Sequence, residues 1–337
     1  MNSSMRRIAK TIAIRSGGLS LYHRLKHREQ LTVLMLHRVL PGHLMIPYAA
    51  DDEYTISTAL LERLMKFVAA HYNVVDLNDV LKSRKRESPL PSFPLLVTFD
   101  DGWDDNALHA APVLAAAKIP WTLFAATDAI SSGERWWQEI LLAALRSGHA
   151  SYGQLWDLAA GESRPNADKG ADPMLAILLL YGALTPAKRE DLLTRHLDTT
   201  SMQVTPRHMA NWDTLRALQK SGVGIGGHGA SHLPLTMLAD PANDLRQAQS
   251  IMRQQLGDDA CSTMSFPHGR YNPAIADAAR ALGTQLLFTS DPTLNKCAGG
   301  WLGSDMVGRI SISTTTVADD RGNLDMERAM PWLMLRQ

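Results

Sequence analysis

The chain has 337 residues, enough for one large α/β domain with an insertion or for two ordinary domains. A hydrophobic content of 45% with 20% charged residues is that of a folded globular protein, and a formal net charge of +0 gives no ground for a nucleic-acid binder. Only two cysteines occur, Cys261 and Cys297, without a CxxC spacing, which excludes a disulfide framework and a thiolate zinc knuckle and suits a reducing compartment.

Arg6, Arg7, Lys10, Arg15, Arg24, Lys26 and Arg28 all precede the first acidic residue, Glu29, with Ile8, Ile12, Ile14, Leu19, Leu21 and Leu25 among them. This arm (residues 1–30) reads either as a basic surface helix resting on anionic lipid or as a solvated tail. No uninterrupted apolar core or small-residue cleavage site follows the arginines, so a signal peptide is not read and a cytoplasmic protein is expected. No run of about 18 apolar residues suggests a membrane span.

Leu31–His37 reads as a first buried strand ending in a histidine. A helix is expected over 57–71, a strand over 73–77, a short helix over 79–84 and, after a proline-rich connector, the strand Leu95–Phe99. A helix over 108–117 and a strand over 121–126 continue the alternation, which is that of a parallel sheet or barrel. The rhythm breaks over about 134–208, where helical patterns near 136–147, 151–160, 174–184 and 186–197 suggest an insertion over or beside the barrel mouth. Trp136-Trp137 opens it, readable as a sugar-stacking platform or as two core residues. Alternation resumes with strands at 223–226, 263–266, 285–289 and 307–312 and helices between the first three of them; 313–337 is left as a tail.

The chemistry concentrates at strand ends. Leu95–Phe99 runs into Asp100-Asp101-Gly102, and Gly102 permits a sharp turn that lets both carboxylates reach one pocket. One can bind a metal while the other handles a proton, at the C-terminal mouth where β/α barrels keep their chemistry. Taken alone, Asp-Asp-Gly is equally a pair of solvated turn residues. His228 and His232 follow another strand, and their spacing brings the imidazoles together if the segment makes a helical turn. Two histidines and one carboxylate with an open position form a common catalytic metal arrangement.

Thr98–Gly102 (Thr-Phe-Asp-Asp-Gly) and His228–His232, with Gly229 in place of a hydroxyl residue, resemble the first two motifs of the polysaccharide deacetylase family, the NodB-homology carbohydrate esterases. Asn211-Trp212-Asp213 and Ser265-Phe266-Pro267-His268-Gly269 resemble two further family segments, and the likeness spans about residues 31–312 apart from the insertion. It implies a distorted (β/α)7-type barrel that removes an N-acetyl group from a sugar of a polysaccharide or lipid-linked glycan precursor. It also implies a divalent metal on Asp101, His228 and His232, zinc first, with Co2+, Ni2+ or Mn2+ as alternatives. Asp100 would be the base for a metal-activated water, and the backbone N–H of His268 would help hold the oxyanion.

No histidine follows His268, so the family's late acid histidine is missing. Met35–Val39 resembles the Tyr-His-x-Val segment of circularly permuted relatives, which makes His37 the candidate acid. Arg309 or Arg38 could supply the arginine charge that orients the base in many relatives. His268, Pro267, Arg309, Trp136 and Trp137 are expected on the substrate side. O-deacetylation, deformylation and glycan binding without turnover stay open.

Overall fold

In the computed structural model the described residues are 14, 16–45, 50–132, 136–160, 173–197 and 208–336. Residues 1–13 and 15 of the basic arm lie outside them, as do the stretch 161–172 and residues 134, 135 and 198–207 of the insertion.

Short aliphatic runs bounded by turn residues become strands: β1 (Gln30–Leu36), β2 (Arg38–Leu40), β3 (Thr55–Ser57), β4 (Asn73–Val74), β5 (Pro94–Phe99), β6 (Thr122–Ala125), β7 (Gly224–Gly227), β8 (Thr263–Ser265), β9 (Leu286–Phe288), β10 (Asn295–Ala298), β11 (Trp301–Leu302), β12 (Met306–Val307) and β13 (Ile310–Ser311). All six residues of β5 are buried, as expected of a parallel strand covered on both faces. Parallel pairing runs β13–β1–β5–β6–β7–β8–β9–β12. Because β12 and β13 are two halves of one bent segment, that segment lies between β9 and β1 and closes the strands into a ring. The distorted (β/α)7-type barrel expected from the sequence is the fold observed.

Three local features depart from the expectation. The last strand is not continuous over 307–312: it breaks at Gly308-Arg309, and the two halves serve different neighbours. The antiparallel hairpin β10–β11 was not foreseen; it pairs with the start of β1 through Gln30 and Lys296. The helix expected at 108–117 starts earlier, as a π-helical turn over Asn106–Ala110 before regular helix from Ala111 to Ala116. Such wide turns frequently mark functional positions, and this one follows directly on the Asp-Asp turn.

Helices Trp137–Arg146, Tyr152–Ala160, Pro173–Gly182 and Pro186–His196 gather a separate apolar cluster, with Leu141, Leu155, Ile177, Tyr181 and Leu193 at its centre. Each such side chain stabilises by about 1.5–3 kcal/mol on burial, so these helices hold much of their own cohesion. Trp137 packs against both this cluster and the barrel's, which ties the two together at the first helix.

Candidate metal centre and active site

The site is assembled from the first residues beyond neighbouring strand ends. β1 and β5 pair with Leu36 opposite Phe99, so His37 and Asp100 begin adjacent loops. β6 and β7 pair with Ala125 opposite Gly227, and His228 follows at once, its N–H donating to Ala125 O. Parallel register thus delivers all three to one rim.

The turn after β5 begins one residue sooner than glycine alone would place it. Asp101 itself lies in the left-handed region (φ 75°), followed by Gly102 at φ 91°. A non-glycine residue there is uncommon and marks a position held by its surroundings. The indole Nε1 of Trp103 donates to Asp101 Oδ2 at 2.9 Å. A Cβ on Gly102 would come 2.7 Å from Ile130 Cδ1, so no other residue fits there without displacing that side chain.

His228 and His232 meet, but not on a helical turn. The segment is an irregular loop in which Gly229 (φ 71°) and His232 (φ 56°) are both left-handed. Asp244, from the helix Pro241–Leu256, accepts from Ala230 N (2.8 Å) and Ser231 N (3.0 Å) and ties the loop down. Gly229 packs closely there: a Cβ would lie 3.0 Å from Asp244 Oδ1 and 3.1 Å from Pro267 Cγ.

His228 Nε2 lies 3.3 Å and His232 Nε2 3.0 Å from Asp101 Oδ1. The far nitrogens are committed: His228 Nδ1 to Ser265 O and His232 Nδ1 to Gln138 Oε1, each at 2.9 Å. Both acceptors are carbonyl oxygens, so each Nδ1 donates, and each Nε2 is the nitrogen left to present a lone pair to a cation once it gives up any proton shared with Asp101. Two imidazole nitrogens and a carboxylate oxygen face one another within 4.8 Å, an arrangement that could hold a cation between them. Borderline-soft nitrogen donors with one carboxylate suit zinc and its divalent neighbours better than calcium or magnesium. Burial pushes the Asp101 carboxyl up, but His232 and His228 outweigh it and hold its pKa well below the ordinary range. For His228 burial works downward, and Asp100 and Asp101 outweigh it and raise its pKa.

Asp100 is buried beside this cluster, its Oδ2 4.0 Å from His228 Nε2. Arg309, at the bend between β12 and β13 and 0% exposed, grips it with both arms: Nη1 to Oδ1 at 2.7 Å and Nη2 to Oδ2 at 2.8 Å. Ser265 Oγ donates to Asp100 Oδ2 (3.0 Å) and accepts from Arg309 Nη2 (2.7 Å). Burial alone would raise the Asp100 pKa; Arg309, with His228, lowers it instead, so the carboxylate stays ionised. His37 sits at the rim, partly exposed, its ring edge-on to Tyr54 at 5.1 Å between centroids. Desolvation lowers its pKa against the opposing pull of Asp101 and Asp100.

Residues 185–287, which include His228, His232 and Ser265–Gly269, match the family model for polysaccharide deacetylase. Over that segment the chain is similar to the polysaccharide deacetylase family. Solved structures similar to this barrel include Streptococcus pyogenes deacetylase PplD in complex with acetate (TM-score 0.55, 13% identity, 85% of this chain and 94% of that one). A de-N-acetylase from Aggregatibacter actinomycetemcomitans aligns at TM-score 0.54 and 18% identity over 83% of this chain and 94% of its own. IcaB from Ammonifex degensii aligns at TM-score 0.52 and 18% identity over 86% and 94%. At such identities the likeness is one of fold. No curated protein is detectably similar in sequence.

Several residues expected on the substrate side of the site are placed otherwise. Arg309 is enclosed behind Asp100 and cannot touch a substrate. Pro267 is buried against the Gly229 loop. Trp136 is 4% exposed, wedged between Trp103 and the His232 ring. Trp137 carries the Arg189 guanidinium 4.5 Å over its ring. The tandem tryptophans do not form one flat platform: Trp136 is the extended N-cap buried in the barrel cluster, while Trp137, the first helical residue, is partly buried where the two clusters meet. His268 remains exposed, in the left-handed region (φ 53°), with Nε2 3.1 Å from His232 O. Its N–H lies in the first turn of the short helix Pro267–Gly269, where backbone donors have no intrahelical acceptor. Arg38 does not reach Asp100: it pairs with Asp105 (2.9 Å) and Glu139 (3.3 Å) and covers the Trp103 ring at 4.2 Å.

Sequence reasoning missed Trp103, Gln138 and Asp244 as supports of the ligands. Ser265 was quoted within the third motif, where its serine could have signalled a partner for a buried carboxylate.

Proposed function

We propose that this chain hydrolyses the N-acetyl group of a sugar in a polysaccharide or lipid-linked glycan precursor. The observation that carries the reading is the convergence of Asp101, His228 and His232 beside an Arg309-clamped Asp100, with His37 on the same rim.

A divalent cation held by Asp101, His228 and His232 would polarise the acyl carbonyl and bring the pKa of water at the site from 15.7 toward about 7. Asp100 takes the proton of the attacking water; it is ionised, and the Arg309 fork fixes its orientation. The backbone N–H of His268 would help hold the developing oxyanion in the scheme the family resemblance suggests. His37 donates a proton to the leaving nitrogen, without which an amine is a poor leaving group. Its place just past the end of β1 supports the permuted arrangement: the barrel's closure makes β1 the neighbour of β13, so a histidine following the first strand occupies the sector a late motif would supply.

Acetate release from N-acetylated and O-acetylated glycans, with metal-stripped and with zinc- or cobalt-reloaded protein, tests the reading. Release of acetate with a free amine, only after reloading, is expected. Release from O-acetyl glycans alone would move the assignment to an esterase. Glycan binding with stoichiometric metal and no release would make it a binding protein.

The reading of a cytoplasmic enzyme at an anionic membrane surface draws support from the helix Gly18–Lys26. Leu21 (57% exposed) and Leu25 (72%) share a face one turn apart, with Arg24, Lys26 and Arg28 exposed around them. Apolar side chains flanked by cations suit an anionic headgroup layer. No helix among the described residues is long and apolar enough to cross a membrane. Co-sedimentation with vesicles containing anionic lipid is expected, reduced at least tenfold in Leu21→Ser/Leu25→Ser and abolished by neutral vesicles. Equal recovery with both vesicle types would exclude this reading.

A further inference from the structure

The three proposed ligands are not braced alike. His228 is held by the barrel itself, through the Ser265 carbonyl at the end of β8. His232 is held from outside the barrel: its Nδ1–H donates to Gln138 Oε1, on the helix Trp137–Arg146 that opens the insertion. Gln138 is 1% exposed, and its Nε2 donates to Ser231 O at 3.3 Å, so the amide spans the loop and is fixed at both ends. The neighbouring Trp136 ring stands edge-on to the His232 ring, centroids 4.7 Å apart at 70°, and closes its other side. Next along the helix, Glu139 binds Arg38, Arg38 covers Trp103, and Trp103 donates to Asp101. Two of the three ligands are thus supported through consecutive residues of one helix.

An acceptor on Nδ1 determines which ring nitrogen keeps its lone pair and where that lone pair aims. We propose that Gln138 is a positioning residue that fixes the tautomer and aim of His232, so that the helical insertion sets the cation affinity of the site. The inference rests on the metal reading above. It gives the insertion a function distinct from covering the mouth: His228 is braced by the barrel, whereas the Nδ1 of His232 is braced directly by Gln138 of the insertion.

Zinc affinity measured by chelator competition, on full-length protein stripped of metal, is the test. Gln138→Leu removes the acceptor at similar volume and is expected to weaken zinc binding 10- to 100-fold, the usual effect of losing such a partner. Gln138→Glu keeps a carbonyl-type acceptor toward Nδ1 and is expected to bind zinc at least as tightly as the parent. A purely structural role would make both variants lose affinity in step with their loss of thermal stability in the metal-free state. That outcome, or unchanged affinity in Gln138→Leu, would overturn the proposal. Asp101→Ala separates the two layers: if the parent binds no zinc, or binds it equally without Asp101, the metal reading fails and this inference with it. If the parent binds and Asp101→Ala does not, the Gln138 variants decide the matter alone.

Discussion

Arg309→Met is expected to destabilise the metal-free protein by on the order of 3–5 kcal/mol at neutral pH, the usual result of stripping one partner from a buried ion pair. The arginine is fully enclosed, so the substitution strands a buried carboxylate rather than returning it to water. Asp100 would keep only the Ser265 hydroxyl, and the Thr289 carbonyl would lose its bond from Arg309 Nε (2.9 Å). The pH dependence carries a sign. In the parent, Asp100 has a lowered folded-state pKa, so its contribution is present above the ordinary carboxylate range and is lost as pH falls through the lowered value. In the variant, burial without the guanidinium raises that pKa, and folding at neutral pH then carries the cost of protonating the group. The gap between parent and variant should therefore be widest near neutrality and shrink toward pH 4. Arg309→Lys, which keeps the charge but not the fork, should fall between them. Urea unfolding midpoints across that range would check it. A gap independent of pH would mean that Arg309 acts by packing, with no special bond to Asp100.

That arginine also shows how far the sequence could be read. The barrel was legible because parallel strands buried on both faces write themselves as aliphatic runs, and their alternation with helices leaves few topologies. Asp100, Asp101, His228 and His232 were legible because reactive side chains cluster just past such runs. What joins them was not. The bond between Arg309 and Asp100 depends on a strand that bends and changes partner at Gly308-Arg309, and periodicity gives no sign of a break between two apolar halves. Gln138 lies in a helix whose apolar pattern reports only its own cluster, and nothing local distinguishes a glutamine that reaches a histidine 94 positions away. The histidine pair was expected on a helical turn because spacing of four suggests one. Gly229, read as a missing hydroxyl, was instead the sign of a left-handed loop. The tryptophan pair misled for the opposite reason: its composition suits a sugar surface, yet burial is the commoner fate of aromatic rings.

The roles of the two proton carriers separate by leaving group. Asp100→Asn keeps the shape of the side chain but cannot take a proton, and kcat should fall by about 10²–10⁴, the range such groups supply. The fall should be the same for an N-acetyl sugar and for an activated aryl acetate, because both need the water deprotonated. Asp101, His228 and His232 are untouched, so stoichiometric zinc should remain. His37→Ala should behave differently. Its imidazole sits at the rim against Tyr54, outside the hydrogen-bonded core of Asp100, Arg309 and Ser265, so its removal leaves the base in place. An amine must be protonated as the C–N bond breaks, whereas an aryl oxide leaves unaided. Turnover of the N-acetyl sugar should therefore drop by about 10²-fold or more, while the aryl acetate loses little. The comparison is internal to one variant and does not depend on how well it folds, since both substrates meet the same molecules. Equal losses on the two would show that His37 supports the site without delivering a proton. An undiminished amide rate would show that the proton comes from another group.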